Sequence, residues 1–311
     1  MGFLSDNFIS DAILLVLKWL YEFISDYTLV VILLTVAIRV LILPLDIRQR
    51  KNSRMMANIG PEVESLKKRY ANNPDQLQRK INELYRERNI KPMAGCLPML
   101  IQLPLLFAFF GAMRAIASEQ SVSIILRAVE NGAESIELPG MLWVHNIWQP
   151  DSGSAGVLPS AAEFLTFLQQ NAGNITPQTM ALLAEKGIIS YNGALTVVES
   201  TYGALSEQII AANGLTGFNN GWFGLPVLAG ASMLLQQKLS TKNNPQMQQQ
   251  GKVMMYMMPI ISVWFCATSN AVFAIYWFVS NLVAIVTNLV YDLIIKAKDK
   301  KTAAPSGAMD A

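Results

Sequence analysis

The chain has 311 residues, 52% of them hydrophobic and only 15% charged, with a net charge of +2 and a mean hydropathy of +0.32. That balance lies outside the ordinary soluble class and predicts a membrane protein. Its two cysteines, Cys96 and Cys266, both fall in apolar runs, which argues against a disulfide framework or a metal site, and no cofactor is expected.

In chain order, residues 1–26 come first. The stretch 8–24 is apolar apart from Ser10, Asp11, Lys18 and Glu22, and the three charged positions share one helical face. The pattern predicts a helix lying in the outer membrane interface, with a further span as the alternative. The first ten residues carry Asp6 and no basic region, unlike a secretion signal, and Asp6 stands where a myristoylation motif wants Ser or Thr.

Residues 27–46 read as the first span, near the length of about 20 residues that a hydrocarbon core requires. Arg39 sits inside it, with Thr35 and Asp46 on the same stripe and Pro44 loosening the helix near its end. An arginine at that depth costs at least roughly 2.5–3.5 kcal/mol, so something must solvate it. The expectation is a hydrated cavity open to lipid and cytosol.

Residues 47–95 are predicted to form a basic helical hairpin. Met56, Ile59, Val63, Leu66 and Tyr70 repeat at helical spacing, Asn72-Asn73-Pro74-Asp75 turns the chain, and Leu77, Ile81, Leu84 and Tyr85 resume the pattern. Asn73 before Pro74 predicts a helix cap. Lys67, Lys68, Arg69, Arg79, Lys80, Arg86 and Arg88 cover the solvent faces, as either a plain solvated surface or a docking surface for lipid heads, ribosomal RNA or an acidic partner.

The second span is expected over 96–117, and an extracytoplasmic, mostly helical segment over 118–221, with helices at 161–171, 177–186 and 194–213. Trp143 and Trp148 are expected at the membrane surface, and the lone His145 in a structural role. A third span follows at 222–240 and a short cytosolic loop at 241–252. The 39 uncharged residues of 253–291 would extend about 58 Å as one helix, so 253–295 should fold into two spans turning at Thr268, Ser269 and Asn270. A basic tail occupies 296–311.

Orientation follows from loop charge. Residues 47–93 hold twelve Lys and Arg against five Asp and Glu, whereas 118–221 hold two against nine. Positive charge stays inside, which gives a multi-pass plasma-membrane protein of five spans with its N-terminus outside and its C-terminus in the cytoplasm. The apolar runs at 96–113, 222–237 and 253–291 contain no Asp or Glu. They do supply Gln102, Ser232, Gln236, Gln237, Ser280, Asn281, Thr287 and Asn288, which can bond water around the guanidinium or tie helices together. Tyr276, Trp277, Phe278 and the methionines at 254, 255, 257 and 258 would give a pliable apolar wall.

Several of these segments together resemble the YidC/Oxa/Alb family of membrane protein insertases. The resemblance rests on Thr35-Val36-Ala37-Ile38-Arg39 with Leu43-Pro44-Leu45, the basic hairpin ending in Leu84-Tyr85, the run from Gly95-Cys96-Leu97-Pro98 to Gln102-Leu103-Pro104, and Met257-Met258-Pro259 followed by Tyr276-Trp277-Phe278-Val279-Ser280-Asn281-Leu282. It implies an all-α membrane protein with five spans around a hydrophilic groove that holds a buried arginine, matched here by Arg39. It also implies groove contacts at Gln236 or Gln237 and at Trp277, a hairpin that receives clients, and a tail that approaches the ribosome. No large periplasmic β-domain and no lipoprotein leader is recognised, which points to a Gram-positive-like member, while the 118–221 segment exceeds the short connection of compact members.

The expected function is insertion of newly made membrane proteins into the bilayer, with Thr35, Arg39, Gln102, Gln236, Gln237, Tyr276, Trp277 and Asn281 lining the groove and the hairpin cations recruiting clients. The expected partners are nascent chains, the ribosome and targeting machinery, the Sec translocon and lipid. No catalysed reaction is expected, since the spans hold no acid, base or nucleophile set and no nucleotide motif occurs. The competing reading is a transporter or channel for a small anion bound at Arg39, although the paired broken spans of such folds are not evident.

Overall fold

A computed structural model describes residues 8–90, 97–241 and 252–303. Among these are eleven α-helices and one small sheet: α1 Phe8–Ile24, α2 Tyr27–Asn58, α3 Gly60–Arg69, α4 Pro74–Glu87, α5 Leu97–Asn131, α6 Ala161–Gln170, α7 Pro177–Glu185, β1 Ile189–Tyr191, β2 Leu195–Val197, α8 Glu199–Ala212, α9 Gly224–Thr241, α10 Lys252–Thr268 and α11 Ala271–Ala303. The mainly helical architecture matches expectation. Cys96, most of the loop at 241–252, the end of the tail and the first seven residues lie outside the described residues, as do the side chains of Met254 and of the tail lysines.

Two described helices are long and apolar enough to cross a membrane: α2, with a window of mean hydropathy 2.6, and α11 over Ala271–Ile295, with 1.8. Each window is only 28% buried. A soluble core helix would be covered by its neighbours, whereas α2 leaves Val40 and Leu41 exposed and α11 leaves Val286, Leu289 and Leu293 exposed. Met255–Thr268 is a shorter apolar helix. The long helices overrun the predicted spans. Helix α2 continues through Pro44 and Asp46 to Asn58 and ends where Gly60-Pro61 opens α3.

The chain divides into two compact units. The first comprises Met1–Leu34, Pro104–Gly230 and Ile261–Trp277. Its core includes the fully buried Leu17, Phe109, Met113, Ile124, Phe164, Leu168, Leu183, Ile209 and Phe273. Helix α1 buries Ser10, Ile13 and Leu17 and exposes Phe8, Leu15, Trp19 and Phe23, an apolar stripe suited to lipid. Lys18 reaches Glu119 of α5 at 2.5 Å, and the Tyr27 ring stacks on Tyr21 and meets Trp148 edge-on at 5.0 Å.

The 118–221 segment departs from expectation in three ways. Helix α5 runs on to Asn131, well past the predicted end of the span. The helix expected from 194 begins instead at Glu199, because Leu195–Val197 pairs antiparallel with Ile189–Tyr191 across a turn holding Asn192 and Gly193, the latter at φ 83°. Trp148 is buried instead of lying open at a surface, and the half-buried Trp143 donates from Nε1 to Asp151. The helices near 161 and 177 form as expected. Helix α6 is closed by a capping box of Ser160 and Glu163, and α7 is capped by Thr176.

A buried polar clasp ties this segment to the start of α9. The Asn220 amide donates to the carbonyls of Asn146 and Gln149 at 2.8 and 3.1 Å, while its carbonyl accepts from the Asn146 backbone. Asp151, wholly inaccessible, accepts from Trp143 Nε1 at 3.0 Å and from the backbone of Phe223 and Leu225 at 2.8 and 2.7 Å. The carboxylate thus occupies the positive end of α9, where anions are favoured. Gly224 is required by close approach, because a Cβ there would press into the Trp143 ring.

The second unit comprises Thr35–Leu103, Ala231–Ile260 and Phe278–Ala311. Its hairpin, α3 and α4, forms as predicted. The Asn73 side chain accepts from Gln76 N at 3.0 Å, and Pro74 opens α4. Met56, Ile59, Val63, Ile81, Leu84, Tyr85 and Ile90 make its core, with Leu66 and Leu77 packed against it. Ile90 was not in the periodic pattern, and Tyr70 caps α3 outside that core.

Candidate functional site

Residues of α2, α9 and α11 build a polar line in the second unit. Arg39 is half-buried and donates from both Nε and Nη2 to Ser280 Oγ, at 2.8 and 2.5 Å. Ser280 is 4% exposed, so the guanidinium donates to a buried hydroxyl. From the sequence, Ser280 is one of several groups able to bond water near Arg39. It is a direct partner, and 241 residues of separation hide that pairing from any local pattern.

The neighbouring Asn281 donates to Ser232 of α9 at 3.2 Å, and Asn288 donates to Ser240 at 3.3 Å. Ser232, Gln236 and Ser240 recur every four residues, so they share one face of α9, which these bonds turn toward α11. Gln237 sits one step round the helix. Both glutamines are half-buried, as is Gln102 on α5. Thr35 is 1% exposed, one turn before Arg39. Asn281 is 7% exposed, and its bond to Ser232 links α11 to α9. Asp46 lies two turns beyond Arg39, close enough for the two charges to act on each other.

Tyr276 and Trp277 belong to the first unit. The Tyr276 ring is 3% exposed and stacks on Phe109 at 4.1 Å. Trp277 is half-buried beside Phe265 and Phe273, with Nε1 buried and without a hydrogen-bond partner among the described residues. The predicted turn holds: Ser269 donates to Phe265 O at 2.7 Å, and Asn270 accepts from Phe273 N at 3.1 Å to start α11.

On the hairpin, Arg88 binds Glu62 at 2.8 Å and Lys80 binds Glu83 at 2.6 Å. Lys68, Arg69, Arg79 and Arg86 are exposed, and Lys67 is half-buried.

Comparison with known proteins places this arrangement. The model of the 60Kd inner membrane protein family matches residues 19–196 and 191–299. A membrane protein insertase YidC of Clostridium perfringens is 32% identical over 179 residues, covering 53% of this chain and 68% of that protein. One from Fusobacterium nucleatum is 26% identical over 90% of this chain and 93% of its own length. One from Wolinella succinogenes is 27% identical over 99% of this chain, which spans 41% of that longer protein. With apolar helices left uncovered, a half-buried arginine on a serine, and a match running nearly end to end, the chain belongs to the 60Kd inner membrane protein family, that of the membrane insertases.

Proposed function

We propose that the protein is a membrane protein insertase that receives nascent chains beside Arg39, draws short polar segments partway across the bilayer and releases apolar segments into lipid. The observation that carries this reading is the Arg39 guanidinium, half-buried in an apolar helix and held by a neutral hydroxyl. A cation so placed attracts an acidic passenger more strongly than it would in water, because the surrounding dielectric is low. It binds through charge and not through an enclosing cage, which suits a client that must leave. Gln102, Gln236 and Gln237, all half-buried, are the polar groups we assign to the passenger's path.

The full reading has five spans, with the N-terminus outside and the basic hairpin and tail in the cytosol near the ribosome, targeting machinery and translocon. No covalent chemistry is required. Burial of apolar client surface drives the transfer, and for acidic segments the membrane potential adds about 2.3 kcal/mol per charge per 100 mV. A photoreactive residue in place of Val36 or Val40, which flank Arg39, tests this. Crosslinks to a stalled nascent membrane protein are expected, and labelling of small anions alone would favour a transporter instead.

A further inference from the structure

The cytosolic continuation of α2 and the end of α11 enclose a cleft of about 350 Å³ that the insertion reading does not use. Its lining is Ile47, Lys51, Arg54, Met55, Asn58, Tyr291 and Ile295, all within the second unit. The five α2 residues fall at steps of four, three, one and three, which places them on one helical face, and Tyr291 and Ile295 are one turn apart on α11. Two cations and an amide thus share a hollow with three aliphatic or thioether walls and a phenol.

Depth along the chain selects the ligand. Ile295 immediately precedes Lys296, where the basic end of the chain begins, and Lys51 lies about 8 Å beyond Asp46 by helical rise. The headgroup layer occupies roughly the first 5–7 Å outside the hydrocarbon core, within reach of flexible Lys and Arg side chains. Lys51 is exposed, as is Ile47 at its apolar rim, so the hollow opens toward its surroundings. The acidic residue nearest in sequence on α11, Asp292, is not in the lining and acts on Arg50, which points to Ala284 O at 3.4 Å.

We propose that this cleft is a binding site for the phosphate headgroup of an anionic phospholipid, with Lys51 and Arg54 pairing the phosphate, Asn58 and Tyr291 hydrogen-bonding the headgroup, and Ile47 and Ile295 receiving the first acyl methylenes. The apolar walls favour a lipid over a free phosphate, for which they have no use. The site depends on α2 and α11 meeting the membrane surface and not on how clients are inserted.

Native mass spectrometry of the full chain in mild detergent, titrated with phosphatidylglycerol or phosphatidylcholine, tests it. Wild type should hold phosphatidylglycerol preferentially. Lys51→Gln/Arg54→Gln should weaken that adduct about tenfold or more, since each basic contact to an anionic surface contributes about a factor of five. The charge-preserving Lys51→Arg/Arg54→Lys should retain it, which guards against a folding artefact, and so should Lys68→Gln/Arg69→Gln on α3. Equal adducts in wild type and the Lys51→Gln/Arg54→Gln protein would overturn the site, as would an equal loss in the α3 variant. Displacement of the lipid by inorganic phosphate at comparable concentration would reassign the cleft to a free anion and overturn it as well.

Discussion

At the scale of single residues, two buried polar contacts carry the most consequence. Asp151 is fully enclosed and satisfied by three donors, so Asp151→Asn turns an amide N–H₂ toward groups that already donate. A loss of about 2–4 kcal/mol is expected, read as a lowered thermal midpoint and faster hydrogen exchange at Phe223 and Leu225. Ser280→Ala removes the acceptor of two Arg39 donors but leaves the charge. Insertion should fall modestly, about two- to tenfold, and less than on removal of the arginine itself. Arg39 was legible in the sequence because a charge inside an apolar run is conspicuous. Ser280 and Asp151 were not, since each acts on a residue more than 70 positions away.

At the scale of elements, local rules worked where local forces decide. The Asn73-Pro74 cap and the Thr268-Ser269-Asn270 turn depend on adjacent residues and formed as read. The β1–β2 hairpin was missed because three-residue strands give almost no periodic signal, although Asn192-Gly193 carried the turn chemistry. The α3–α4 hairpin rests on a compact apolar cluster, and Leu84, 8% exposed, lies in it. Leu84→Ala should destabilise the hairpin by roughly 2–4 kcal/mol and speed hydrogen exchange across Gly60–Arg69 and Pro74–Glu87, while protection of the first unit's core stays unchanged. Equal loss of protection in both units would contradict an independent hairpin core.

At the scale of the whole molecule, the charge asymmetry between 47–93 and 118–221 predicts which face each occupies. A single cysteine at Arg79 should resist a membrane-impermeant thiol reagent in intact cells, and one at Tyr191, 59% exposed, should react. That requires Cys96 and Cys266 to be replaced first. The membrane class was legible from composition, and the mainly helical architecture from the length and spacing of the apolar runs. The stacking of Tyr276 on Phe109 and the bond from Asn281 to Ser232 were not, because each joins residues far apart in the chain.

In the proposed mechanism Arg39 supplies an attractive charge to acidic passengers, which insertion by the purified protein in liposomes measures. Client pairs should differ only in whether their short translocated segment is acidic or neutral. Arg39→Ala should cut insertion of the acidic client by about tenfold or more while sparing the neutral one, and Arg39→Lys should restore most of the loss. Equal insertion of the acidic client by wild type and Arg39→Ala would contradict the account.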